Sequence, residues 1–113
     1  MLFHPKYVPM IVAGSKKVTR RVWKRNLVKA GGIYQCKTRM FDSRWFAKIR
    51  VTRVWMQKLG EITETEAIAD GHSSLDEFKE SWMKFYGKWN PEQEMTVIDF
   101  EVVEVSSEWQ SSL

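Results

Sequence analysis

The alternation of apolar and polar positions divides the chain into a short helix, a run of strands, two further helices and a final strand. At the amino end, apolar residues cluster at positions 7–13, which predicts a short buried helix. We expect this helix to open near Pro5 and to be interrupted by Pro9. It should end at Gly14, because glycine tolerates the left-handed conformation that stops a helix. From Lys17 onward the pattern predicts a strand.

The next part of the chain alternates with a period of two, which is typical of half-buried strands. Residues 33–40 and 44–55 therefore predict a hairpin whose turn is residues 41–43. Phe46 and Arg53 break the alternation, as residues at the corners of barrel strands do. The predicted core face of the second strand carries Trp45, Ala47, Ile49, Val51 and Trp55, and its polar face carries Lys48, Arg50 and Thr52.

Two capping boxes, at residues 63–66 and 74–77, predict helices that Gly71 and Gly87 close. Along the second of these helices, apolar residues recur at steps of three and four and form one broad stripe. We predict that this whole stripe is core. Its members are Leu75, Phe78, Trp82, Phe85 and Tyr86.

Length and composition indicate one domain. The 113 residues suffice for a single core. Residues 95–105 predict a last strand, so we assign residues 1–105 to the domain and 106–113 to a frayed C-terminal tail. The single Cys36 excludes an internal disulfide, fits a reducing compartment and is expected to fill the core. Because no apolar run reaches membrane-spanning length, we expect a cytoplasmic protein that does not bind membranes.

Charge is distributed unevenly along the chain. Residues 1–58 hold 15 of the 18 lysines and arginines and only one acid, Asp42, whereas residues 59–113 hold three lysines and 13 acids. Such asymmetry favours a surface that contacts a polyanion such as RNA or another single-stranded nucleic acid. The alternative is that the two halves pair with each other through surface salt bridges, which individually contribute little to stability.

The octet at residues 14–21 carries a lysine, a threonine and an arginine where the predicted helix gives way to a strand. The period of a strand sends Thr19 and Arg21 to one face, and Lys16, in the turn, can lean over the same spot. A hydroxyl between two cations indicates a site for an anionic or strongly polar ligand. The architectural alternative is that Gly14 caps a helix while the lysine and arginine are simply solvated.

Further cations and one aromatic residue extend this candidate site. Trp23 lies among arginines and lysines, which suits stacking on an unpaired base. The predicted hairpin carries a basic ribbon formed by Lys37, Arg39, Lys48 and Arg50. This ribbon can follow a nucleic-acid backbone, or it can be an ordinary solvent-exposed face of a barrel. The full set of candidate binding residues is Lys16, Lys17, Thr19, Arg20, Arg21, Trp23, Lys24, Arg25, Lys37, Arg39, Lys48 and Arg50.

The octet resembles the signature of the ASCH family, the activating-signal-cointegrator homology domains. The likeness continues through residues 62–78, which are similar to the family's helical insert, and through residues 97–101, which resemble its last strand. The resemblance implies an α+β fold, a small PUA-like β-barrel with an N-terminal helix and a two-helix insert before the last strand. It also implies that the protein binds RNA or a nucleotide in a cationic cleft built on the octet.

An enzymatic alternative rests on the same residues. Lys16 and Thr19 can supply a base and a hydroxyl, Arg21 can hold a carbonyl oxygen, and Asp70 is the leading candidate for the carboxylate that a hydrolase needs. The chain resembles small bacterial ASCH amidohydrolases that remove the acetyl group of N4-acetylcytidine. That resemblance places Asp70 where the family has a catalytic glutamate, one methylene longer. A third possibility is that the acidic half docks a partner protein.

No cofactor is expected from the sequence. His4, His72 and Cys36 lack the spacing of metal ligands, so we predict no metal site. The chain also lacks a phosphate-binding Walker loop, a dinucleotide-binding fingerprint and a nucleophile elbow.

Overall fold

Four antiparallel strands form one curled sheet, a half-barrel, in the computed structural model, which describes residues 1–107. The strands are β1 (Val18–Arg21), β2 (Ile33–Cys36), β3 (Ala47–Lys58) and β4 (Glu94–Val105). Their order across the sheet is β1-β4-β3-β2, so the two long strands pair at the centre and the two short ones lie at the edges. The predicted α+β architecture is confirmed.

Within residues 1–107, three named α-helices accompany the sheet. They are α1 (Val8–Val12), α2 (Glu64–Ala69) and α3 (Leu75–Tyr86), and the last two form the predicted insert between β3 and β4. A 3-10 turn, Pro5–Tyr7, leads directly into α1. The prediction that Pro9 interrupts this helix is wrong, because Pro9 lies in its first turn, where a backbone N–H has no partner inside the helix. Gly14 ends the segment at φ +81°, as predicted.

The β2–β3 connection is longer than the predicted three-residue turn. Cys36 pairs with Ala47, and the ten residues between them lie outside the strands. Strand β2 stops there because the chain then pairs with the amino-terminal segment, through a parallel bridge between Leu2 and Lys37. The predicted break at Arg53 is confirmed, since the register of β3 against β4 shifts between Val51 and Arg53.

One core cluster joins α1 to the sheet, a second lies under the insert, and a third consists of Val28, Val51 and Ile98. The first cluster consists of Phe3, Val8, Ile11, Cys36, Phe46, Ala47, Ile49 and Phe100. Burial raises the pKa of the Cys36 thiol to about 12, which fits its predicted role as core filler. Among residues 1–107, no helix has the length and apolarity needed to cross a lipid bilayer. The predicted tail lies outside the described residues from position 108 onward.

The aromatic stripe of α3 is only partly core. Phe78 is buried and packs with Leu59, Ile62, Ala67 and Met95. Phe85, in contrast, is 80% exposed and Tyr86 46% exposed. The prediction that the whole stripe is core is therefore wrong for its C-terminal end. The first turns of α3 cover the insert cluster, whereas the last turn lines a cleft.

Candidate functional site

A cleft of about 230 Å³ is lined by the amino-terminal segment, β1 and the insert. One part of its lining is polar and is contributed by Lys16, Thr19, Arg20, Arg21 and Asp70. Another part, which we call the aromatic wall, is contributed by Tyr7, Phe78, Trp82, Phe85 and Tyr86. The three octet residues that the sequence singled out therefore line one cavity, together with the predicted carboxylate. We call this cavity the polar cleft.

Lys16 is folded back into the protein by the turn that follows α1. The backbone N–H groups of Ser15 and Lys16 both donate to the carbonyl of Met10, and the lysine is only 2% exposed. Its ammonium donates to the Val18 carbonyl (2.9 Å), the Asp70 carbonyl (2.5 Å) and the Asp70 carboxylate (2.7 Å). All three of its protons therefore have acceptors. Burial lowers the pKa of Lys16, and the charge of Asp70 opposes that shift.

Asp70 caps α2 at the point where Gly71, at φ +105°, turns the chain away. Its Oδ1 lies 2.7 Å from the Lys16 ammonium and its Oδ2 lies 2.7 Å from the Arg20 guanidinium. The residue is 5% exposed, so one buried carboxylate balances two buried cations. Although Asp70 is one methylene shorter than the glutamate that the family resemblance implies, it reaches the lysine directly.

Arg20 is held in place by side chains of β3 and α2. Its Nε donates to the Gln57 side-chain oxygen at 3.1 Å, and its guanidinium lies 3.5 Å from the Glu66 carboxylate. Gln57 in turn donates to Glu66. With Asp70 on the other side, each of the three guanidinium nitrogens of Arg20 has a protein partner. We interpret it as a support for the carboxylate.

Thr19 and Arg21 keep free binding capacity in the polar cleft. Thr19 is 5% exposed, and its hydroxyl makes no hydrogen bond to any of residues 1–107. Arg21 donates to the Leu2 carbonyl (2.6 Å) and stacks over the Phe3 ring (4.8 Å), and within the described chain it forms no ion pair. Burial lowers the pKa of Arg21 while Asp70 opposes that shift. A buried hydroxyl without a partner is costly unless a ligand or water satisfies it.

His72 also lines the polar cleft, and the sequence analysis assigned it no role there. It is 8% exposed, with Nδ1 lying 2.5 Å from the Glu77 carboxylate and Nε2 lying 3.5 Å from the Tyr7 hydroxyl. Its Nε2 also lies 3.9 Å from Asp70 Oδ1. Ser74 caps α3 as predicted, but Glu77 turns to His72 instead of completing the second capping box. The position of His72 two residues after Asp70 is the sequence signal that could have pointed to it.

The aromatic wall was not predicted either. Trp82 and Tyr86 approach with ring centroids 4.3 Å apart, and Phe85 meets Tyr86 at 4.9 Å. These rings line the same cleft as the polar residues, and the half-buried Tyr7 lies against the Lys16 ammonium, 4.6 Å from its ring centroid. Planar apolar surfaces beside polar groups suit a flat heteroaromatic ligand.

Several of the predicted binding residues lie elsewhere. Trp23, Lys24 and Arg25 do not line the polar cleft. Trp23 packs on Val28, Val51 and Ile98, so its ring supports the core. The cations predicted at the rim are exposed on the loop after β1.

The basic ribbon divides into paired and unpaired cations. On β3, Lys48 lies 3.6 Å from Glu104 and Arg50 lies 3.2 Å from Glu101, so the two halves of the chain do pair here, as the alternative interpretation of the charge asymmetry proposed. Lys37 and Arg39 instead line a second cleft of about 380 Å³. Lys17 is exposed, and its backbone joins the end of α2 to β4.

Crystal structures from three bacteria share this fold. A protein of Enterococcus faecalis is 24% identical with a TM-score of 0.70, and the match covers 94% of this chain and 72% of that one. An ASCH domain from Lactobacillus crispatus is 15% identical with a TM-score of 0.69, covering 84% and 69%. The ASCH protein of Zymomonas mobilis is 9% identical with a TM-score of 0.63, covering 99% and 75%.

No curated protein matches the sequence. The family model for the ASCH domain, however, matches residues 1–104, which is nearly the whole chain. The order of elements agrees with that match, because the octet, the helical insert and the last strand occur where the resemblance placed them. The chain therefore belongs to the ASCH domain family.

Proposed function

We propose that the polar cleft binds one nucleotide or nucleoside, either free or within RNA. The observation that carries this proposal is that Lys16, Thr19 and Arg21 line a single cavity together with the aromatic wall. A planar base has π faces for the wall and hydrogen-bonding edges for the polar side. The membership of the chain in a family with a PUA-like fold agrees with this choice of ligand.

The size and charge of the cleft define how the ligand is held. At about 230 Å³ the cavity accommodates a single base, since pockets for drug-sized ligands start near 300 Å³. The unpaired hydroxyl of Thr19 and the guanidinium of Arg21 contact the edge of the base or an attached acyl oxygen. Lys16 attracts the ligand through its positive charge and donates no hydrogen bond to it, because its three ammonium protons are already donated within the protein.

Calorimetric titration with N4-acetylcytidine, cytidine and cytidine monophosphate tests the binding. Thr19→Val removes only the unpaired hydroxyl, so we expect affinity to fall about 3- to 10-fold while the fold keeps its stability. Thr96→Val is the matched control, because Thr96 is also buried in the sheet but its hydroxyl contacts only the Met56 sulfur. Equal affinities of the two variants, or no binding by the wild type, would refute the proposal.

A second candidate function, hydrolysis of an N4-acylated cytidine, is favoured by one specific contact. The Lys16 ammonium lies 2.7 Å from the Asp70 carboxylate in the cavity where the Thr19 hydroxyl is unpaired. In this reaction Lys16 passes its proton to Asp70, and the neutral amine then accepts the proton of Thr19 as its oxygen attacks the acyl carbon. Arg21 stabilises the developing oxyanion. The proton then moves to the departing cytidine amine, and water releases the acyl group from Thr19.

Incubation with N4-acetylcytidine, followed by chromatography for cytidine, tests the hydrolysis. We expect turnover by the wild type, none by Lys16→Ala and none by Thr19→Val. Lys29→Ala is the control, because Lys29 is exposed and lines neither cleft. Thermal melting verifies that each variant is folded. Absence of turnover by pure wild-type protein would leave nucleotide binding as the function.

A further inference from the structure

A second cleft adjoins the polar cleft across a single residue. Leu2 lines both cavities. Its carbonyl accepts a hydrogen bond from Arg21 on the polar-cleft side, and its backbone pairs with Lys37 on the other side. The two cavities therefore lie on either side of Leu2. We call this second cavity, formed by β2 and the segment after it, the edge cleft.

The edge cleft carries positive charge that the protein does not neutralise. Lys37 and Arg39 line it, and neither forms an ion pair with any of residues 1–107. No acidic side chain belongs to its lining. The neighbouring cations Lys48 and Arg50 differ, because both are paired with glutamates of β4. A bound anion therefore gains more electrostatic attraction beside Lys37 and Arg39 than beside Lys48 and Arg50.

An aromatic ring stands free beside these cations. Phe41 is 98% exposed and lines the edge cleft, as does the half-buried Tyr34. Phe41 also has a backbone φ of +64°, a conformation that a bulky residue rarely adopts. A fully exposed phenylalanine contributes nothing to the core. Exposed aromatic rings beside unpaired cations are the combination that binds single-stranded nucleic acid, through stacking on bases and attraction to phosphates.

We propose that the edge cleft binds the adjacent nucleotide of a single-stranded RNA whose neighbouring base occupies the polar cleft. The phosphate between the two nucleotides lies near Lys37 and Arg39, and the second base stacks on Phe41. This inference rests on the proposed function of the polar cleft. It extends that function from a single nucleoside to an oligonucleotide.

Calorimetric binding of cytidine monophosphate and of the RNA tetranucleotide CpCpCpC tests the inference on the full chain. We expect the tetranucleotide to bind at least about 10-fold more tightly than the monophosphate, since a second stacked base adds to affinity. Phe41→Ala should lower tetranucleotide affinity by about 5- to 150-fold. The same substitution should leave monophosphate affinity unchanged, and the exposure of Phe41 means that folding is not affected.

A charge-reversal variant provides a second test of the edge cleft. For tetranucleotide binding, a plot of the logarithm of the association constant against the logarithm of salt concentration has a negative slope. The double variant Lys37→Glu/Arg39→Glu should make this slope less negative by about 0.7 to 1.4. The control Lys29→Glu/Lys88→Glu makes the same change in net charge at exposed positions outside both clefts. It should leave most of that salt dependence in place.

Each result decides between the two proposals. Equal affinities for the monophosphate and the tetranucleotide, or equal effects of the two double variants, would overturn the edge cleft as an RNA site and leave the polar cleft standing. If neither ligand binds, the proposed function fails and the inference fails with it. Binding of the tetranucleotide that depends on Phe41 and on the Lys37/Arg39 pair supports both.

Discussion

The side chains of Lys16 and Asp70 form a buried ion pair across 54 positions of sequence, with 2.7 Å between Nζ and Oδ1. The other carboxylate oxygen of Asp70 lies equally close to Arg20. One buried carboxylate is therefore shared by two cations that are almost completely removed from water, and Glu66 is a second partner for Arg20 only. The polar cleft depends on Asp70 both for its charge balance and for the position of Lys16.

We expect Asp70→Asn to destabilise the protein by about 3–5 kcal/mol, because it leaves the buried Lys16 without a counter-ion and removes the nearer of the two carboxylates beside Arg20. Urea denaturation of the wild type and the variant measures the difference. Asp42→Asn is the control, since Asp42 pairs with Arg44 at the surface and should be replaceable without a measurable change. Similar effects of the two substitutions would contradict the importance of the buried pair.

Gly71→Ala should damage the cleft more than Gly87→Ala does. Both glycines have positive φ, +105° and +78°, so alanine is strained at either position. Only at Gly71 would the added methyl meet neighbours, at 3.0 Å from the Met10 sulfur and 3.5 Å from the Lys16 side chain. We expect Gly71→Ala to lose about 1 kcal/mol more stability than the control, measured by urea denaturation. It should also weaken ligand binding, whereas the control should not.

Alkaline pH should destabilise the fold through Cys36. The pKa of this thiol is about 12 in the folded protein, against an ordinary value of 9.0. Between these values the folded state keeps a proton that the unfolded chain loses, so stability falls as pH rises. The contribution is fully present below pH 9. Above it, we expect the free energy of unfolding to fall by about 1.4 kcal/mol per pH unit.

A Cys36→Ala variant isolates this effect. Its absolute stability will differ from that of the wild type, but the pH dependence attributable to the thiol should disappear. Denaturation series between pH 8 and pH 10.5 provide the comparison, because other titrating groups are present in both proteins. Parallel profiles would show that the thiol of Cys36 ionises in the folded state much as it does in the unfolded chain.

Phe85→Ala should weaken ligand binding without weakening the fold. Phe85 is 80% exposed and lines the polar cleft, so its ring contributes contact area for a ligand and little to the core. We expect affinity for N4-acetylcytidine to fall about 5-fold or more, the effect of losing one stacking contact. Met83→Ala, on the same helix but outside the cleft lining, should keep wild-type affinity. An unchanged affinity of Phe85→Ala would remove the aromatic wall from the site.

Local rules were sufficient to predict most of the fold. The capping box of Thr63 and Glu66 forms as expected, and the positive φ values of Gly14, Gly71 and Gly87 end the predicted segments. These features depend on neighbours within a few positions of the chain. The octet also concentrates its functional side chains within six residues, so a strand and a tight turn are enough to bring them together.

The parts that the sequence did not predict depend on contacts between distant segments. The stripe of α3 has the same spacing in its buried and exposed turns, so periodicity cannot show where its contact with the insert cluster stops. Glu77 has a capping position and a nearby histidine available, and only the folded structure shows that His72 is its partner. Similarly, the pairing of Leu2 with Lys37 ends β2 early, although the residues after Cys36 continue the strand pattern.

Strand β1 has a consequence for the newly synthesised chain. Among the described strands it pairs only with β4, Thr19 opposite Ile98, so it has none of these partners until β4 has left the ribosome. A nascent chain that already displays its basic amino-terminal half therefore presents those cations without an assembled pocket. Any selectivity that the finished domain has for its ligand is absent until β4 has emerged and paired with β1.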